Sequence, residues 1–128
     1  MSTRSTISVK MGDEIKSIYC HWDGYPSHNG KILLEKYNSQ EQAEKLINLG
    51  DLLLLDDNAD KPEGHTFDHP VEGYCVAYGR DRGEKDTEAR TYKNVEEIDE
   101  QKYNYYWNDE KWFVNNNILT TEIINKGE

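Results

Sequence analysis

The sequence predicts an α+β fold: a mostly antiparallel sheet from two hairpins plus a middle strand, with two helices (about 27–37 and 40–49) on one face and a short third helix. Three observations carry this prediction. Residues 6–11 and 15–22 alternate apolar and polar on either side of Gly12-Asp13-Glu14, the pattern of a half-buried hairpin. Ser39-Gln40-Glu41-Gln42 is a capping-box pattern that opens a helical stripe closed by Gly50. Two ring-rich runs, 103–107 and 111–114, flank Asn108-Asp109-Glu110 as a second hairpin.

Taken in order, Ile7, Val9 and Met11 share one side of the first strand, opposite Thr6, Ser8 and Lys10. In the second strand Ile18, Cys20 and Trp22 are expected to look into the core, and Ser17, Tyr19 and His21 away from it. Asp23-Gly24-Tyr25-Pro26 breaks that strand. Ser27 caps a first helix carrying Leu33, Leu34 and Tyr37, in which Gly30 weakens the first turn but admits close approach. Ala43, Leu46 and Ile47 form the stripe of the second helix. The run Leu52-Leu53-Leu54-Leu55 reads as a buried strand or as the packed exit of that helix. Residues 56–70 form a long surface loop, 73–78 a third strand and 79–84 a charged turn. Asn94 caps a short helix reaching about Gln101, and 118–124 could add an edge strand.

A chain of 128 residues is one domain's worth, and no repeat or linker divides it. At this size folding buries roughly 65–70% of the chain's surface, enough for one core. An aromatic content of 11% argues against disorder. No apolar run approaches the ~20 residues a bilayer requires. The opening Met1-Ser2-Thr3-Arg4-Ser5-Thr6 has no apolar segment behind it, so a cytoplasmic location is expected. Cys20 and Cys75 each lie in an apolar strand-like run and read as reduced core thiols, not as a disulfide.

The formal net charge of −10 is uneven. Residues 51–110 hold 7 Lys and Arg against 17 Asp and Glu, a balance of 7 − 17 = −10, and the remainder balances at 8 against 8. Such a field repels a phosphate backbone, so direct nucleic-acid binding is not expected. It reads either as a solvated, solubilising surface or as one that imitates nucleic acid toward a basic partner.

Residues 18–30 are the densest in chemistry-bearing groups. Tyr19, His21, Asp23 and Tyr25 form a candidate ligand-binding set. His21 with Asp23 is also the weak candidate for an acid/base pair, while Cys20 and His21 point to opposite faces and make a poor nucleophilic pair. Arg80-Asp81-Arg82 can clamp a phosphate or carboxylate, or form an internal salt-bridge cluster with its acidic neighbours. His65, Asp68 and His69 are a weak metal candidate, since Gly64 and Pro70 disfavour the helix that would align the histidines. No Walker loop, Rossmann glycine pattern or nucleophile elbow is present, and no cofactor is implied.

The segments MSTRSTI, SIYCHWDGYPSHNGKILLEKYN, LINLGDL, VAYGRDRGE, EARTYKNVEE and WNDEKWFV together resemble a family of small, largely uncharacterised proteins of bacteriophages and prophages. The resemblance spans most of the chain and is most specific at Tyr19–Tyr25 and Tyr78–Glu84. It implies an accessory protein acting in the cytoplasm of a bacterial host, and it brings no enzyme activity or catalytic residues with it. By analogy with such proteins, the expected function is a non-catalytic binder that inhibits a bacterial defence system. The partner is then a host defence protein, met by acidic mimicry, or a nucleotide-like small molecule held by the rings and arginines. A small hydrolase or transferase using His21 and Asp23, and a structural or regulatory phage protein, are the alternatives. The sequence leaves the oligomeric state open.

Overall fold

The first hairpin follows directly from its alternation. The computed structural model describes residues 3–126. In it β1 (Ser5–Met11) and β2 (Glu14–Cys20) pair antiparallel, with Ile7 opposite Ile18 and Ser8 opposite Ser17. This register buries Ile7, Val9, Ile18 and Cys20 on one face and turns Thr6, Ser8, Ser17 and Tyr19 to the other.

The helices cover the first face. One π-helical turn, Pro26–Gly30, runs into α1 (Lys31–Lys36), and α2 (Gln40–Ile47) follows. Of the two caps predicted for these helices, Ser39 forms, its Oγ accepting the Gln42 N–H at 3.2 Å, whereas Ser27 lies inside the π-helical turn and neither that turn nor α1 has a side-chain cap. Leu33, Tyr37, Ala43, Leu46 and Ile47 are buried beneath these helices. At roughly 1.5–3 kcal/mol per large apolar side chain, their burial is what fastens the helices to the sheet.

The four-leucine run is a strand. β3 (Leu52–Leu54) lies parallel to β2 and antiparallel to β4 (Val76–Ala77). The third strand is therefore only two residues long. It stops because the chain turns helical at once, forming α3 (Tyr78–Arg82) where a charged turn was expected. The Asp81 carboxylate reaches back to the Ala77 N–H at 2.8 Å, and Gly83 ends the turn at φ 76°.

β5 (Arg90–Tyr92) pairs with the first half of β2 and has no counterpart in the sequence reading, because three residues show no period. The second ring-rich hairpin forms as expected, β6 (Tyr103–Asn108) with β7 (Lys111–Val114), turning at Asp109 and Glu110, both with positive φ. β6 runs parallel to β1, with Ile7 opposite Tyr105, and Trp107 and Trp112 are buried at the helix face. β8 (Asn117–Ile118) completes a mixed eight-stranded sheet of order β4-β3-β2-β1-β6-β7-β8, with β5 beside β2. Five of its seven pairings are antiparallel. The α+β architecture is thus the one predicted.

Three further local expectations are corrected. Residues 118–124 are not an edge strand beyond Ile118: Thr120 caps α4 (Thr121–Asn125), its Oγ1 accepting the Ile123 N–H at 3.2 Å. The short helix after Asn94 is a single 3-10 turn, Val95–Glu97, with a complete capping box, and the chain is extended again at Ile98. Trp22 is not a core residue but 44% exposed. The space over Cys20 belongs to Asn29, whose Nδ2 lies 3.2 Å from Ser5 Oγ and 3.5 Å from Cys20 Sγ. The chain then turns away at Asp23, φ 55°, and Gly24 closes against β1, where a Cβ would stand 2.8 Å from Ser5 Cβ. Cys20 and Cys75 are buried free thiols. No helix among the described residues is long and apolar enough to cross a membrane.

Candidate functional site

The site is assembled by a residue the motif analysis did not single out. Gly50 leaves α2 at φ 77° with its Cα pressed on Thr87, where a Cβ would sit 2.4 Å from the Thr87 carbonyl oxygen. This places Asp51 between three segments. Its N–H donates to Thr87 O at 2.8 Å and its carbonyl accepts the Tyr78 N–H at 3.2 Å. Its carboxylate accepts the Tyr19 N–H at 2.9 Å and two bonds from Arg90, each 2.7 Å.

Asp51 thereby brings the Tyr19 end of β2 beside the start of α3. Burial raises the Tyr78 pKa above its ordinary value, and the neighbouring Tyr19 raises it further against the opposing Arg82. The Tyr19 phenol is also pushed up by burial, with Arg4 pulling the other way, and its OH lies 2.7 Å from His21 Nδ1. Arg82 is exposed, with its guanidinium 4.3 Å from the Phe67 ring centroid and 5.2 Å from that of Tyr78, and it pairs with Glu84. The rings of Phe67 and Tyr78 are 5.5 Å apart. Tyr19, His21, Tyr78, Phe67 and Arg82 therefore make a half-exposed shelf of rings and one surface cation.

The other sequence-derived residues have different places. Asp23 accepts the Tyr25 hydroxyl at 3.3 Å, so these two form their own contact on the turn. Arg80 is turned inward, donating to Ala59 O at 2.6 Å, to Cys75 O at 3.0 Å and twice to Asp81. It anchors the 56–75 loop and leaves only Arg82 at the surface. The Asp81 side chain is completely buried between Arg80 and His65. Burial pushes its carboxyl up, but the Arg80 guanidinium, the Ala77 N–H and His65 together hold it below the usual carboxylate range.

His65, Asp68 and His69 are not assembled into a ligand set. His65 Nδ1 accepts the Val71 N–H at 3.0 Å, so its Nε2 carries the proton facing Asp81 at 3.3 Å. Asp68 and His69 are exposed on the loop. Among the described residues no group of three His, Cys, Asp or Glu side chains is arranged to hold a metal.

A second concavity occupies the sheet face away from the helices. A groove of about 570 Å³ lies between β1, β6 and β7 and the strap 95–101, with Tyr106 and Phe113 in its wall. A smaller hollow of about 190 Å³ adjoins it beside Tyr19, Arg90 and Tyr92 and shares Thr6, Ile98 and Gln101 with it. Asn104 pins the strap: its Oδ1 accepts from Thr6 Oγ1 and the Gln101 N–H, both at 2.9 Å, and its Nδ2 donates to Gln101 O at 2.9 Å.

No family model matches the chain, and neither a curated protein nor a solved structure matches it.

An Asp after a helix-ending glycine is ordinary in sequence, so no motif marks Asp51. Its role comes from three chain segments distant from one another. Tyr78 was visible as a strand residue, but its partnership with Phe67 and Arg82 depends on the helical turn that replaced the expected charged turn.

Proposed function

We propose that the protein is a phage or prophage accessory protein that inhibits a bacterial defence system by binding, without turning over, a nucleotide-like ligand in the host cytoplasm. The observation that carries this reading is the Asp51 junction, which sets Tyr19 and His21 beside Tyr78 and Arg82. Half-exposed rings suit stacking on a base, worth ~1–3 kcal/mol per base in single-stranded nucleic-acid sites. Arg82 is suited to the phosphate, because its partner Glu84 is 43% exposed and such a pair contributes only ~0–1 kcal/mol, so a phosphate can replace it. Saturating ligand at a hundred times its Kd should stabilise the fold by about 2.7 kcal/mol. A thermal-shift series with linear and cyclic mono- and dinucleotides tests this; no stabilisation by any of them would remove the reading.

A second reading has its own support. Of the 17 Asp and Glu in residues 51–110, all but Asp51, Asp56 and Asp81 are exposed, leaving 17 − 3 = 14 carboxylates on the surface. Such a surface suits occupation of a basic nucleic-acid groove on a host protein. Its mark is partner binding that weakens steeply as salt rises, since the contact is charge on charge.

A further inference from the structure

We propose that the 570 Å³ groove on the helix-free sheet face is a second binding site, for a neutral ring carrying adjacent hydroxyl groups. Its size lies within the roughly 300–1,000 Å³ typical of small-molecule sites. The β6–β7 register sets Tyr106 directly across from Phe113, both half-buried, so that two rings offer one stacking wall. The floor is made of the small hydroxyl residues Thr6 and Ser8, which leave the space open. Both are already satisfied, Thr6 by Asn104 and Ser8 by Ser17 at 2.9 Å.

The remaining lining selects the ligand. Among the described residues, the side-chain amides of Gln101, Asn108 and Asn116 line the groove and make no hydrogen bond within the protein. Each amide offers donors and an acceptor, the complement of a hydroxyl that does both. The charged groups at the groove are Glu96, Glu100 and Lys102, a balance of 1 − 2 = −1. Carboxylates accept hydrogen bonds from hydroxyls but repel phosphate. The strap held by Asn104 is preformed, which lowers the ordering cost of binding. A ring with adjacent hydroxyls comes from two sources, a saccharide or the ribose of an unphosphorylated nucleoside.

The two are separated by following the Gln101, Asn108 and Asn116 side-chain amide resonances of the full chain while maltotriose, adenosine or adenosine 5′-monophosphate is added. At least one neutral probe should shift these signals saturably, and the monophosphate should do so more weakly than adenosine. Phe113→Ala should weaken the neutral probe about tenfold, a loss of ~1.4 kcal/mol, and Arg82→Ala should leave it unchanged. Should Phe113→Ala fail to fold, Asn108→Ala provides the same comparison. Silence of the three amides to both neutral probes, or a response to adenosine that its monophosphate equals, overturns the proposal. The readout lies apart from the Tyr78–Arg82 shelf, so nucleotide capture there can fail while the groove binds, and the reverse.

Discussion

Arg90 grips Asp51 through both terminal nitrogens, Nη1 to Oδ1 and Nη2 to Oδ2, each at 2.7 Å. The same carboxylate takes the Tyr19 N–H, so one residue ties β5, β2 and the exit of α2 together. The pair raises the Arg90 pKa above its ordinary value, chiefly through the hydrogen bonds to Asp51. Asp51→Ala leaves a strand N–H without its acceptor and should cost about 1–3 kcal/mol in urea unfolding. Arg90→Ala should cost less, because that side chain is 44% exposed. The double variant should lose less than the sum of the singles, since the two changes remove one shared contact.

Asp81 predicts the acid limb of stability. Its folded pKa lies below its unfolded value of roughly 3.9. Its contribution is therefore fully present above about pH 4 and is lost as pH falls toward the folded value. Asp81→Asn should lower stability at pH 7 by about 3 kcal/mol, because Arg80 loses its buried partner. It should also flatten the decline below pH 4. An unchanged acid limb in that variant would assign the decline to other carboxylates.

Cys20 predicts the alkaline limb. Burial pushes its thiol up to about 12, above the unfolded value of 9.0. A raised folded pKa means that unfolding releases the proton above pH 9, so stability is constant below that and falls as pH rises toward 12. The native thiol should resist iodoacetamide at pH 8 and react when urea opens the chain. Rapid native alkylation of Cys20 would contradict its burial.

The tryptophans should divide sharply. Trp107 and Trp112 are each 1% exposed and meet edge to face at 5.4 Å, so Trp107→Ala should cost about 3–5 kcal/mol. Trp22→Ala should stay within about 0.5 kcal/mol, since that ring stands at the surface. Denaturant midpoints of the two variants check this directly.

What could be read in the sequence was whatever is local and periodic. The alternation through Ile7, Val9 and Ile18 and the Ser39 cap predict elements that form, because pleat and cap chemistry act over a few residues. The outcome at Trp22 depended on Asn29 and Gly24 filling the space above and beside Cys20, a tertiary fact. The division of labour between Arg80 and Arg82 follows from one helical turn that aims the first inward and the second outward. Asp51 and Arg90 are 39 residues apart, and no short motif joins them. The candidate site was thus half legible: Tyr19, His21 and Arg82 were named, while the residues that bring them together were not.

The most direct test of the central claim is equilibrium dialysis of the linear and cyclic nucleotide panel against wild type and Arg82→Ala, with the bound fraction recovered after denaturation. The account predicts that wild type retains at least one nucleotide in stoichiometric amount and returns it chemically intact, and that Arg82→Ala, still folded, retains much less. Equal retention by both proteins, retention of nothing, or return of a cleaved product would contradict it.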